Sequence, residues 1–158
     1  MKTHHLNEIK IISKVCEEAE GVSVANSPAK IRHLWETCVA TAPWFDPDKE
    51  AVVVFNLNTK LRVKSWQMVA VGTINETSVT PREILRPAVA TLAHSVIFAH
   101  NHPSGDTHPS PADMDITRRV RDGAKTLNIV LQDHIIIGRK DENGNQNAYY
   151  SFREAGYL

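Results

Sequence analysis

His100 and His102, separated by one residue, and Asp113, beyond a loop containing Pro103-Ser104-Gly105, are the side chains of this sequence best suited to chemistry. The segment Ser95-Val96-Ile97-Phe98-Ala99 is β-branched and aromatic, so it reads as a buried strand that runs out at His100. Side chains alternate along a strand. His100 and His102 therefore project the same way at its carboxyl end and can converge on one ion. Ser110-Pro111-Ala112-Asp113 opens a helical pattern, in which Met114, Ile116, Val120, Ala124 and Leu127 recur near helical spacing. Asp113 falls in the first turn of that helix, where a carboxylate is rigidly held. Two imidazoles and a carboxylate suit tetrahedral zinc, and three protein ligands leave a fourth position for water, as in catalytic rather than structural sites. Zinc brings the pKa of a bound water from about 15.7 to about 7 and polarises a carbonyl, so hydrolysis is the expected chemistry.

Each residue also has an ordinary use. Ser110-x-x-Asp113 matches a helix capping box, and an acid in the first turn complements the helix dipole. Any one of the eight histidines could be a plain polar side chain. The combination carries the reading: a strand-end His-x-His, a Pro/Gly loop and an acid at a helix entry.

Those residues sit in a wider pattern. It runs from Gly72-Thr73 through Pro81-Arg82-Glu83-Ile84, then His100-Asn101-His102-Pro103-Ser104-Gly105-Asp106, Pro109-Ser110, Asp113 and Thr117, to Asp133-His134-Ile135-Ile136-Ile137-Gly138. It resembles the RadC-like JAB domain, part of the JAB1/MPN metalloprotease superfamily, over roughly Ser27 to Leu158. The resemblance implies a JAMM-type site with one zinc per chain, held by His100, His102 and Asp113. Ser110 would support the attacking water or the tetrahedral oxyanion, its hydroxyl donating outward while it caps the helix. The implied fold is mixed α/β (α+β): an MPN/JAB-type core with a curved β-sheet flanked by helices, of cytidine-deaminase-like architecture.

A partner acid must take the proton of the water and return it to the leaving nitrogen, and Glu suits that task. Glu50, just before the apolar run Ala51-Val52-Val53-Val54-Phe55, matches the superfamily's placement of Glu ahead of the first core strand and is our choice. Glu76 lies in a turn-rich stretch. Glu83, the fallback, also fits a capping box with Thr80 and Pro81. His134, at an expected strand start, either supports a ligand from behind or bonds to backbone at the core edge. Asp106 and His108 in the loop are weaker candidates.

The peptidase or isopeptidase-like activity expected of such a site implies a protein or peptide substrate. Two alternatives stand beside it: a non-catalytic MPN scaffold, and a nucleic-acid-associated or DNA-repair role, which the family resemblance suggests. Lys plus Arg equals Asp plus Glu at 18 each, so no net charge draws the chain to phosphate. Arg118-Arg119-Val120-Arg121 is the compact basic cluster and reads as a solvated helix face. His100-Asn101-His102 is too compact for an HNH nuclease, whose named residues are dispersed over a longer unit.

At 158 residues, 42% hydrophobic and 23% charged, the chain can bury one core. No membrane span or signal-peptide core is visible, so a cytoplasmic protein is expected. Cys16 and Cys38 lack C-x-x-C spacing and read as free thiols. The expected elements begin with a helix over Leu6 to Ala19 and a second, capped by Ser27-Pro28, running to about Thr41. Together they form a helical preface, residues 1–42, to the JAB domain, residues 43–158. Strands are expected over Ala51 to Leu57 and Leu61 to Gly72, turning near Asn58-Thr59, and over Ala148 to Phe152 after a hairpin tip at Asp141 to Asn145. A helix over Thr80 to Ala93 should kink or break at Pro87.

Overall fold

The computed structural model describes residues 24–72, 79–139 and 149–158. Among these, the order is α1 (Pro28–Leu34) continuing into a π-helical turn (Trp35–Val39), β1 (Glu50–Leu57), β2 (Val63–Gly72), α2 (Pro81–Ala90), β3 (Ser95–Asn101), α3 (Pro111–Thr126), β4 (Val130–Ile137) and β5 (Tyr149–Ser151). The strands form one sheet in the order β2-β1-β3-β4-β5. β3 and β4 are parallel and joined through α3, and every other pairing is antiparallel.

β1 and β3 are apolar almost throughout because helices cover both of their faces. Alternation sorts their side chains. Val52, Val54, Val96 and Phe98 pack with Ile84, Leu85 and Ala88 of α2 and Val120 and Ala124 of α3. Val53, Phe55, Leu57, Ile97 and Ala99 pack on the opposite side with Ile31, Leu34, Trp35 and Val39. α1 therefore shares its core with the sheet. Full burial of one such side chain contributes roughly 1.5–3 kcal/mol. The β1–β3 register pairs Val52 with His100, which brings the Glu50 end of β1 beside the histidine end of β3.

The mixed α/β architecture, a five-stranded sheet flanked by helices, is the one expected from the sequence. Several boundaries move. β3 continues to Asn101, one residue beyond the end expected at His100. β2 starts at Val63 and not Leu61, because Leu61 adopts φ 56° inside a turn that Asn58 holds by accepting from the amides of Lys60 and Arg62. α2 runs through Pro87 and stops at Ala90, short of Ala93, with Thr80 as its cap. His134 sits inside β4, which starts at Val130, and is not at a strand start. β5 spans only Tyr149–Ser151. Ser27 occupies the N-cap position of α1, yet its side chain makes no capping hydrogen bond. The expected helix over Leu6 to Ala19, Cys16, Glu76 and the hairpin tip lie outside the described residues.

Candidate metal centre

His100 is on β3, His102 on the loop just after it, and Asp113 at the third position of α3. One ligand atom from each lies within 4.8 Å of the others, a grouping that could hold a metal ion. The Nε2 atoms of His100 and His102 face each other at 3.0 Å. His100 Nε2 is 3.2 Å from Asp113 Oδ1, and His102 Nε2 is 3.5 Å from Oδ2. Glu50 Oε1 approaches His100 Nε2 to 3.8 Å from the neighbouring strand. These four side chains and Ser110 line one cavity of about 560 Å3.

The far side of each imidazole is fixed. His102 Nδ1 donates to the backbone carbonyl of Asp106 at 2.6 Å, and a carbonyl can only accept. His100 Nδ1 lies 2.9 Å from His134 Nε2, and His134 Nδ1 lies 2.6 Å from Thr117 Oγ1. The single proton of Thr117 goes to the Asp113 carbonyl oxygen at 2.5 Å. By donor counting, His134 Nδ1–H must then donate to Thr117, so its Nε2 accepts from His100 Nδ1–H. His100 and His102 are thereby each left with an Nε2 lone pair aimed into the cavity. Two lone pairs 3.0 Å apart beside a carboxylate repel one another unless a cation, or a shared proton in its place, lies among them. The donor set thus fits a divalent ion such as zinc.

His134 is wholly buried, sandwiched between Phe98, with ring centroids 3.9 Å apart, and Phe152, at 4.5 Å. Burial pushes it well below the usual imidazole range, with the nearby His100 acting in the same direction, so it stays neutral as the relay requires. Burial opposes ionisation of Asp113 too, but positive charge shared with His100 and His102, in the place a cation would take, and the Ser110 hydroxyl outweigh it and hold the carboxyl well below the usual range. Glu50 is shifted up, chiefly by burial and against the pull of His100.

Asn101, between the two histidines, points to the opposite face of β3. Its Oδ1 accepts from the Ala51 amide at 2.9 Å, and its Nδ2 donates to the Lys49 carbonyl at 3.0 Å. It grips the backbone on either side of Glu50 and fixes where that side chain leaves the strand. Gly105 turns the loop at φ 84°, and a Cβ there would press on Arg139 at 3.3 Å.

Ser110 caps α3 by accepting from the Asp113 amide at 3.1 Å, and its hydroxyl donates to Asp113 Oδ2 at 2.6 Å. The proton expected to point outward is therefore turned onto the carboxylate. Glu83 is not brought to the group. It is fully exposed and closes the capping box of α2, with Thr80 N and Oγ1 both donating to Oε2 at 2.8 Å. The Asp106 carboxylate pairs with His108 at the surface, while its backbone carbonyl does the positioning.

Sequence reasoning gave no role to Thr117, Asn101, Phe98 or Phe152. Thr117 and Asn101 fell inside recognisable motifs, but their tasks depend on partners far away in the chain. Phe152 had no local signal.

Residues 25–157 match the family model described as the RadC-like JAB domain. The chain is 42% identical over 113 residues to a UPF0758 protein of Chlorobaculum parvum, covering 72% of this chain and 48% of that one. It is 38% identical over 127 residues to a UPF0758 protein of Pelodictyon phaeoclathratiforme, covering 80% and 53%. A UPF0758 protein of Rubrobacter xylanophilus is 35% identical over 171 aligned positions, covering 98% of this chain and 70% of that relative. The chain thus spans about half the length of the first two relatives.

Proposed function

This chain belongs to the RadC-like JAB domain family, and we propose that it is a zinc-dependent hydrolase that cleaves peptide or isopeptide amide bonds. One observation carries the reading: two imidazole Nε2 atoms, each left as an acceptor by a committed Nδ1, meet 3.0 Å apart against Asp113 in an open cavity. His100, His102 and Asp113 would hold the ion. When bound, zinc supplies a Lewis acid for the amide carbonyl and brings water within reach of deprotonation near neutral pH.

The remaining work falls to the protein. Glu50, facing His100 at 3.8 Å, takes the proton of the attacking water and returns it to the leaving nitrogen. Ser110 turns its hydroxyl from Asp113 Oδ2 towards the substrate oxygen as negative charge develops there. His134 and Thr117 keep His100 in the Nδ1–H tautomer. Asn101 keeps Glu50 at the cavity wall.

A nucleic-acid role draws no comparable support. Arg118 lies beside Asp115 and Arg121 beside Asp122, so two of the three arginines of the basic cluster are paired locally.

The test is elemental analysis of wild type, His102→Ala and Asp113→Ala, followed by a screen of internally quenched peptides with wild type and Glu50→Gln. The expected result is about one zinc per wild-type chain, absent from the two ligand variants, with turnover lost and zinc retained in Glu50→Gln. Wild type that takes up no metal from excess zinc would overturn the reading.

A further inference from the structure

The cavity at the candidate centre is larger than three ligands and a water need, and its remaining walls have a definite character. Val52, Val79 and Ile116 give it an apolar side, and Arg119 stands on its rim. Arg119 is the one lysine or arginine among the described residues that line it. Its contact with Asp115 Oδ2 is long, 3.7 Å, while Arg118 holds the other oxygen, Oδ1, at 2.6 Å. The Arg119 side chain is 53% exposed. Its guanidinium is therefore poorly engaged within the described protein and open to the groove.

α3 orders these features. Asp113, Ile116 and Arg119 follow at intervals of three residues, each step a rise of about 4.5 Å. Something lying along the helix meets the candidate centre first, the apolar wall next and the guanidinium last, about 9 Å from Asp113 along the axis. An extended peptide advances about 3.3 Å per residue, so this length corresponds to roughly two to three residues. At the far end Arg119, with Asp115 3.7 Å away, offers a carboxylate a charged partner with paired N–H donors.

We propose that this groove selects an acidic peptide, one that presents an apolar side chain to Val52, Val79 and Ile116 and, two to three residues from the amide at the centre, a carboxylate to Arg119. The proposal names a substrate class for the hydrolytic site and so rests on that reading. The carboxylate is either an Asp or Glu side chain or a chain end, since a guanidinium binds both alike through paired N–H donors.

The experiment is fluorescence anisotropy with fluorescein-labelled Gly-Leu-Gly-Glu amide, the corresponding Gln and Lys amides, and Gly-Leu-Gly-Gly with a free carboxyl terminus. Each is titrated with zinc-treated and chelator-treated protein. For wild type we expect one of the two carboxylate peptides to bind about tenfold more tightly than the Gln amide, and the tighter of the two identifies the source. The preference disappears in Arg119→Gln and turns towards the Lys amide in Arg119→Glu. Replacing Leu by Gly in the probe weakens binding by about tenfold, as loss of a buried aliphatic side chain requires. Arg119 is a surface residue, and thermal melts matching wild type show that both variants are folded.

Equal affinity for charged and neutral peptides, a preference that survives Arg119→Gln, or no binding by any probe overturns the proposal. Because affinity is read with and without zinc, the two readings fail separately. Carboxylate preference without cleavage of any peptide keeps the groove and removes the hydrolase, whereas cleavage indifferent to the carboxylate does the reverse.

Discussion

β1 and β3 present two different interiors on their two sides. Towards α1 their central residues are Val53, Phe55, Ile97 and Ala99, packed on Ile31, Leu34 and Trp35, with buried Asn101 at the end of β3 on the same side. Towards α2 and α3 the same strands begin with Val54 and Phe98 but end in His100, which connects through His134 to Thr117 in a buried polar chain. Close packing suffices at the centre of the first side. On the second, every donor needs an assigned acceptor, because a buried polar atom without a partner costs about 1–3 kcal/mol. The chain of hydrogen bonds is satisfied along its length and ends on two nitrogens turned towards the cavity. The centre of the first side thus serves stability, while the second uses its His100–His134–Thr117 chain to orient the nitrogens at the cavity.

The sharpest way to break this contrast is Glu50→Gln, which should lower amide cleavage by about 10²–10⁴-fold while leaving the melting temperature and zinc content unchanged; steady-state kinetics beside elemental analysis reads both. Phe55→Ala is the counterpart on the apolar side. It should cost about 3–5 kcal/mol in a urea titration, yet the folded fraction should bind zinc with wild-type affinity. If Phe55→Ala weakens zinc binding as much as it weakens folding, the two sides are not separable.

Thr117→Val and His134→Phe probe the relay. Each should weaken zinc affinity about 10–100-fold in a competition with a chromophoric chelator. Thr117→Ser restores the hydroxyl and should restore affinity, an outcome that loss of packing alone would not produce. A Thr117→Val protein that binds zinc as wild type does would show that the tautomer is set in some other way.

The smallest effect concerns Glu83. Hydrogen bonds from the Thr80 amide and hydroxyl hold its pKa below the usual glutamate range in the folded chain. A carboxyl whose pKa is depressed by folding adds stability above its unfolded pKa and loses it as pH falls through the folded value. Thermal melts of wild type and Glu83→Gln should therefore differ slightly at pH 7 and converge below about pH 4, with cleavage and zinc content the same at neutral pH. A loss of cleavage in this variant would restore Glu83 as the proton-transfer residue in place of Glu50.

The alternation of apolar residues in β1 and β3, the capping boxes at Thr80 and Ser110, and the placement of His100 and His102 on one side were legible because they depend on near neighbours in the chain. Boundaries were less so. Leu61 leaves the strand because Asn58 captures two amides of the turn, and β3 extends past His100 because β1 and β4 both pair with its end. The donation of Ser110 inward to Asp113 was also hidden, since a hydroxyl's direction depends on the acceptor that is nearest after folding.

By itself, then, the sequence determined the donor types, their shared side and the helix that presents Asp113, all of which follow from periodicity and local backbone preference. Only the tertiary structure decided which glutamate stands at the cavity, which nitrogen of each histidine is free, and which arginine borders the groove. Those choices join Glu50 to His100, His134 to Thr117 and Phe152, and Asn101 to Lys49 and Ala51. Contacts between residues so far apart in the chain are set by strand register and by packing across the sheet, neither of which leaves a mark in local spacing.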